Sequence, residues 1–125
     1  MKAAALRMVE LCKGHESGGQ PLGLLIYCTL RSNAEQAALY AQGRTAPGPV
    51  LTNAGPGQSL HNPDKHGKAW AFDSVPTLSG KPLWSDHAAL LAMGKAGKAA
   101  GLEWAGDWHG FRELVHFQIK PRKEE

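Results

Sequence analysis

The stretch from Thr45 to Gly57 most constrains what this chain can fold into. Pro47, Gly48, Pro49, Gly55, Pro56 and Gly57 crowd into it, and neither helix nor strand continues through such a run. It must be a long irregular loop, and loops of that length tend to be functional. Regular elements therefore lie on either side of it.

On the N-terminal side, Ala5, Met8, Val9 and Cys12 recur at helical spacing between Ala3 and Lys13, and Gly14 offers a stop. Glu16 to Gln20 reads as a polar loop. Leu24 to Leu30 is a short apolar, β-favouring run and reads as a buried strand. Ser32 with Glu35 forms a capping box that opens a helix through Gln42, which Gly43 ends. Arg31 thus sits at a strand-to-helix junction, where a side chain is held firmly yet points outward. Beyond the loop, Trp70 to Val75 reads as a strand that Pro76 should end. Ser85 should cap a helix from Asp86 to about Ala100, with Leu90, Met93 and Gly97 on one face and Gly94 and Gly97 permitting close packing. Leu114 to Ile119 reads as a last strand before a charged tail, Lys120 to Glu125. The order α-β-α-loop-β-α-β predicts an α+β domain, with helices packed on a small antiparallel sheet. At 125 residues the whole chain is one domain, with no room for a second module.

Hydrophobic content of 42% and charged content of 20% describe a folded soluble protein and argue against disorder. The net charge of +3 favours anionic partners: nucleic acid, an anionic membrane face or an acidic cell-wall polymer. No basic-aromatic motif of a nucleic-acid-binding fold is present, so nucleic acid is not expected as a partner. No stretch approaches the ~20 apolar residues that span a bilayer. Arg7, Glu10 and Lys13 interrupt the N-terminal segment, so no signal peptide is expected and the chain should be made in the cytoplasm. Cys12 and Cys28 are too far apart in sequence for a CxxC pair and read as two buried, reduced thiols.

Three segments carry residues suited to chemistry: Ser59-Leu60-His61-Asn62, Ala69-Trp70-Ala71-Phe72-Asp73, and Glu113-Leu114-Val115-His116. Two histidines, an aspartate and a nearby glutamate are the constituents of a hydrolytic zinc site, in which a carboxylate that is not a ligand takes a proton from water. On a strand, His116 and Gln118 would share one face and Val115, Phe117 and Ile119 the other. Alone, His116 would read as a half-exposed sheet histidine. Glu113 stands three residues before it, so the two converge only if the backbone turns between them, which places Glu113 in the preceding loop. Asp73 closes an apolar strand, where a carboxylate is costly to bury unless paired or metal-bound. Taken alone it reads equally as a capping or salt-bridged aspartate.

In sequence order, Ser59-x-His61, Ala71-x-Asp73, the Trp104-Ala-Gly-Asp-Trp108 block and Glu113-x-x-His116-Phe-Gln resemble the zinc peptidases that cleave D-alanyl-containing cell-wall peptides. These are the D-Ala-D-Ala carboxypeptidases and L-alanyl-D-glutamate endopeptidases, related in fold to the hedgehog N-terminal domain. Leu30 to Thr45 is similar to the phage endolysin branch in particular. The resemblance implies that His61, Asp73 and His116 bind Zn2+. It implies that Glu113 is the general base that activates water and later protonates the leaving amine. Arg31 would steady the oxyanion, and Ser59 would contact substrate or support the site. In one respect the chain departs from the pattern. The family usually places the first histidine seven residues before the aspartate, whereas His61 to Asp73 spans twelve, and Pro63-Asp64-Lys65-His66-Gly67 reads as an inserted turn. His66 has the spacing of seven but lacks the serine two residues before it. The lead-in Gly57 to Asn62 favours His61, which would leave His66 solvent-exposed.

Elsewhere, Trp104 and Trp108 flank a Gly106-Asp107 turn and should pack the core edge or wall a substrate groove, with Asp107 stabilising the turn. His15, His87 and His109 read as surface histidines, although His109 is near enough to Glu113 to line the site. Lys95, Lys98, Lys120, Arg122 and Lys123 read as a solvated face. The expected function is a monomeric zinc endopeptidase that cuts peptidoglycan stem peptides between L-alanine and D-glutamate. As a phage or prophage lysis enzyme, it would wait in the host cytoplasm until a pore-forming protein releases it to the wall. The rivals are carboxypeptidase or dipeptidase action on D-Ala-D-Ala ends, and a non-catalytic wall-binding module.

Overall fold

A computed structural model describes residues 1–17, 19–108 and 112–119; His109 and the charged tail, with Lys120, Arg122 and Lys123, lie outside the described residues. The elements in order are α1 (Lys2–Cys12), β1 (Glu16–Ser17), β2 (Gln20–Pro21), β3 (Gly23–Cys28), α2 (Asn33–Ala41), β4 (Ala71–Leu78), β5 (Lys81–Pro82), α3 (His87–Ala99), β6 (Glu103–Trp104) and β7 (His116–Gln118). The main sheet runs β3-β4-β7-β6, with β5 also pairing β4. Every strand pair in it is antiparallel. The domain is α+β, as the element order predicts.

The two faces of this sheet have different work. Along β4, alternation sends Phe72 and Ser74 toward α3, where the Ser74 hydroxyl lies 3.5 Å from Met93 Sδ. Phe72, Phe117 and Trp104 form one buried cluster with Met8 and Cys12 of α1 and Leu90 and Met93 of α3. Asp73 points to the opposite face. Register places it beside His116 of β7 on one side and Cys28 of β3 on the other, the latter through a bulge between Ile26 and Cys28.

Several local expectations are corrected. Glu16 to Gln20 is not plain loop: β1 and β2 pair as a hairpin, with Gly19 at φ 80 in its turn. Pro76 does not end β4, which runs on to Leu78. Its carbonyl accepts from the Leu83 N–H at 2.9 Å, so the missing N–H faces that same side, where β7 has ended and β5 has not begun. Asp86, not Ser85, caps α3, its carboxylate accepting from the Ala89 N–H at 3.1 Å. Both thiols are free, but only Cys12 is buried; Cys28 is half-buried on the open side. Among the described residues no helix is long and apolar enough to cross a membrane.

Candidate functional site

The residues singled out in the sequence converge on the open face of the sheet. Asp73 and His116 arrive as cross-strand neighbours. His61 comes from the loop that ends at β4, and it is buried at 2% exposure. Glu113 lies in the loop before β7. The backbone turns there, with the His116 N–H donating to the Glu113 carbonyl at 3.2 Å, and Glu113 Oε2 comes within 3.7 Å of His116 Nδ1. Arg31 reaches in from the β3–α2 junction, its Nη2 3.6 Å from Asp73 Oδ2. Its Nη1 donates to Gln36 Oε1 at 2.9 Å.

His61 owes its position to a folded loop. Ser59 Oγ accepts from the His61 N–H at 3.1 Å, and the Arg31 N–H donates to the His61 carbonyl at 2.7 Å. Asn62, 5% exposed, accepts from the N–H groups of Gly57 and Ser59 through Oδ1, and donates through Nδ2 to the carbonyls of Arg31 and Ser32. The inserted residues close on themselves. Asp64 Oδ1 accepts from the N–H groups of His66 and Lys68, Oδ2 accepts from Trp70 Nε1 at 2.8 Å, and Gly67 takes φ 76. His66 is exposed in that turn and is not among the residues lining the cleft.

The geometry of the inward-facing groups, two buried imidazoles and a half-buried carboxylate, is specific. His61 Nε2 lies 3.1 Å from Asp73 Oδ1 and 3.1 Å from His116 Nδ1, and His116 Nδ1 lies 3.2 Å from Asp73 Oδ1. Bonds of about 2.0–2.1 Å to a tetrahedral zinc put ligand atoms roughly 3.3 Å apart, so this near-equilateral triangle is one face of such a shell. The outer nitrogens are already spoken for. His61 Nδ1 donates to the Thr29 carbonyl at 2.9 Å, and His116 Nε2 donates to Gln118 Oε1 at 2.9 Å. In neutral rings the two inward nitrogens therefore carry lone pairs, aimed at each other and at a carboxylate. Only a positive charge among them makes that arrangement favourable, and the three donors fit a divalent zinc.

Titration behaviour follows from the same crowding. Burial alone would push the Asp73 carboxyl up, but in the absence of a metal hydrogen bonds from His116 and His61 in their protonated form, and the charge those rings then carry, outweigh it and hold it at about 2. Burial would lower His116, yet Asp73, Gln118 and the nearby negative charges raise it. Burial also lifts the Glu113 carboxyl above its ordinary range, Asp73 adding to that while His116, His61 and Arg31 pull against it. A carboxylate with a raised proton affinity beside a cation site is suited to accept a proton and give it back.

A cleft of about 800 Å³ opens over these groups, lined by Arg31, Ser59, His61, Asp73, Glu113, His116 and Trp108. The Trp108 ring tilts against His116 with centroids 5.4 Å apart, whereas Trp104 is buried in the core, with Nε1 donating to the Leu114 carbonyl. Asp107 pairs with Lys98 at 3.0 Å. Sequence reasoning missed Cys28, whose thiol with His61 and Asp73 forms a group able to hold a metal ion. It also missed Gln36 and Asn62. The Asn62-Pro63 pair signalled a turn; nothing in the sequence marked Gln36 as buried.

The pattern of the D-alanyl-D-alanine carboxypeptidase family matches residues 54–119. The chain is 34% identical over 101 residues to the peptidoglycan L-alanyl-D-glutamate endopeptidase CwlK of Bacillus subtilis, covering 73% of this chain and 57% of that protein, so it spans somewhat over half the length of that relative. Its fold is similar to that of the crystal structure of the Serratia marcescens L-Ala D-Glu endopeptidase ChiX, with a TM-score of 0.60 at 18% identity, over 95% of this chain and 84% of the other. With the family pattern matched over more than half its length, the chain belongs to the D-alanyl-D-alanine carboxypeptidase family.

Proposed function

We propose that this protein is a zinc peptidase that cuts peptidoglycan stem peptides at the bond between L-alanine and D-glutamate. The observation that carries the reading is the triangle of three ligand atoms, the half-buried Asp73 carboxylate oxygen and two buried imidazole nitrogens whose ring protons outside acceptors hold on the opposite nitrogen, with the Glu113 carboxylate beside it. The choice of bond rests on the two similar proteins, both L-alanyl-D-glutamate endopeptidases by name.

His61, Asp73 and His116 would hold the ion. When bound, zinc supplies Lewis acidity and lowers the pKa of water at the site. Glu113 takes the proton of the attacking water as its oxygen bonds to the scissile carbonyl carbon. It returns that proton to the amine nitrogen as the C–N bond breaks. Arg31, held by Gln36, donates to the carbonyl oxygen as negative charge develops there. Trp108 walls the cleft beside His116, and Ser59 acts on the site by fixing the His61 backbone.

Glu113→Ala should lower kcat by about 10²–10⁴-fold while the protein still binds zinc. Undiminished turnover would remove Glu113 from the mechanism, whereas wild-type protein that binds the wall without cutting it, and a Glu113→Ala variant that binds equally well, would leave only a wall-binding module. Carboxypeptidase action on D-Ala-D-Ala ends is the second reading, favoured by the name of the matched family. Mass spectrometry of digested peptidoglycan separates the two: new N-terminal D-glutamate supports the first, released D-alanine the second. From the likeness of Leu30 to Thr45 to phage lysis enzymes, the enzyme would serve host lysis from the cytoplasm. Expressed protein should then lyse cells only once their inner membrane is permeabilised.

A further inference from the structure

We propose that Gln118 is a positioning residue that sets the orientation and ring tautomer of His116, and so decides which imidazole nitrogen faces the metal. The inference rests on the reading of His116 as a metal ligand. Strand β7 places His116 and Gln118 on one face, two residues apart, and Gln118 Oε1 lies 2.9 Å from His116 Nε2. An amide oxygen only accepts, so the ring must carry its proton on Nε2. Nδ1 is thereby left with a lone pair directed at the point it shares with His61 Nε2 and Asp73 Oδ1. His61 is locked in the complementary way, through Nδ1, by the main-chain carbonyl of Thr29, which no substitution removes. Gln118 is the half of this lock made by a side chain. Without it, the His116 ring is free to turn or to present the wrong nitrogen, and the triangle loses a corner.

The test measures zinc affinity, apart from catalysis, by competition with a chromophoric chelator. Wild type, Gln118→Met and Gln118→Glu are compared, with melting of the metal-free proteins as the folding control. Methionine has similar length but no comparable acceptor, and its affinity should fall by about 10–100-fold, the usual cost of losing a partner that orients a metal-bound histidine. Glutamate restores the acceptor and should restore binding. Nitrogen-15 NMR of the zinc-loaded wild type should show the His116 proton on Nε2 and slow to exchange, and that protection should vanish in Gln118→Met. The proposal fails if the methionine variant binds zinc like wild type, if glutamate rescues nothing, or if the proton sits on Nδ1. Should Gln118→Met not fold, the wild-type spectrum and the glutamate variant decide alone. Wild-type protein that takes up no zinc overturns the metal-site reading itself, a result distinct from any difference among variants.

Discussion

One amide side chain holds the loop that carries His61. Asn62 uses both its oxygen and its nitrogen, tying Gly57 and Ser59 to Arg31 and Ser32, and it does so almost wholly out of water. Asn62→Ala strands those backbone groups, so it should cost roughly 2–4 kcal/mol, a sum of several partly rehydrated hydrogen bonds. Urea unfolding measures this, and a loss below about 1 kcal/mol would show that the loop does not depend on it. Asp64 does the comparable work for the inserted turn. The Lys68 N–H, then the Trp70 indole, then the His66 N–H hold its carboxyl at about 2, below the ordinary 3.8, against a smaller upward push from desolvation. A depressed carboxyl stabilises the fold above its unfolded pKa, and that stability is lost as pH falls through the folded value. The stability gap between wild type and Asp64→Asn should therefore be open at pH 5 and narrow between about pH 4 and pH 2; a gap that does not change with pH would refute this.

At the scale of elements, α3 lies against the sheet because two of its residues have no side chain. A Cβ at Gly94 would meet the Trp104 ring at 2.5 Å, and one at Gly97 would collide with the Phe117 ring. Gly97→Ala would gain about 1 kcal/mol in helix propensity. It would also force a fully buried ring aside, at about 1–3 kcal/mol or more. The net change should be destabilising, and thermal melting checks the sign. The opposite result would show that the sheet yields to the helix. The order of the three helices and the three longest strands was readable from local signals, the Ser32 capping box above all, whereas the two-residue strands β1, β2, β5 and β6 were not. The Ser85 cap was a local misreading, since Asp86 beside it is an equally good cap residue; the other failures were tertiary. Pro76 reads as a breaker until the gap between β7 and β5 is seen, and Glu16 to Gln20 reads as loop because two-residue strands leave no periodic trace.

Across the whole molecule, the candidate ligands come from segments far apart in the chain, so they meet only when it is folded. Zinc should then bind the native state and not the unfolded chain. At ~100-fold excess over its Kd it should stabilise the protein by about 2.7 kcal/mol. Calorimetry with and without chelator measures this, and a Tm indifferent to zinc would contradict it. The residue types at the site, their order, and the need for a turn between Glu113 and His116 follow from the amino-acid sequence, because they depend on chemistry and short-range geometry. Which histidine faces Asp73 does not. His66 has the usual spacing, yet Asp64 folds its turn outward and Asn62 holds His61 inward. Cys28 opposite Asp73, Gln36 behind Arg31 and the Thr29 carbonyl behind His61 likewise emerge only when strands pair and loops close. Spacing along a polymer does not report distance across a sheet, and that distance decides which groups share a charge.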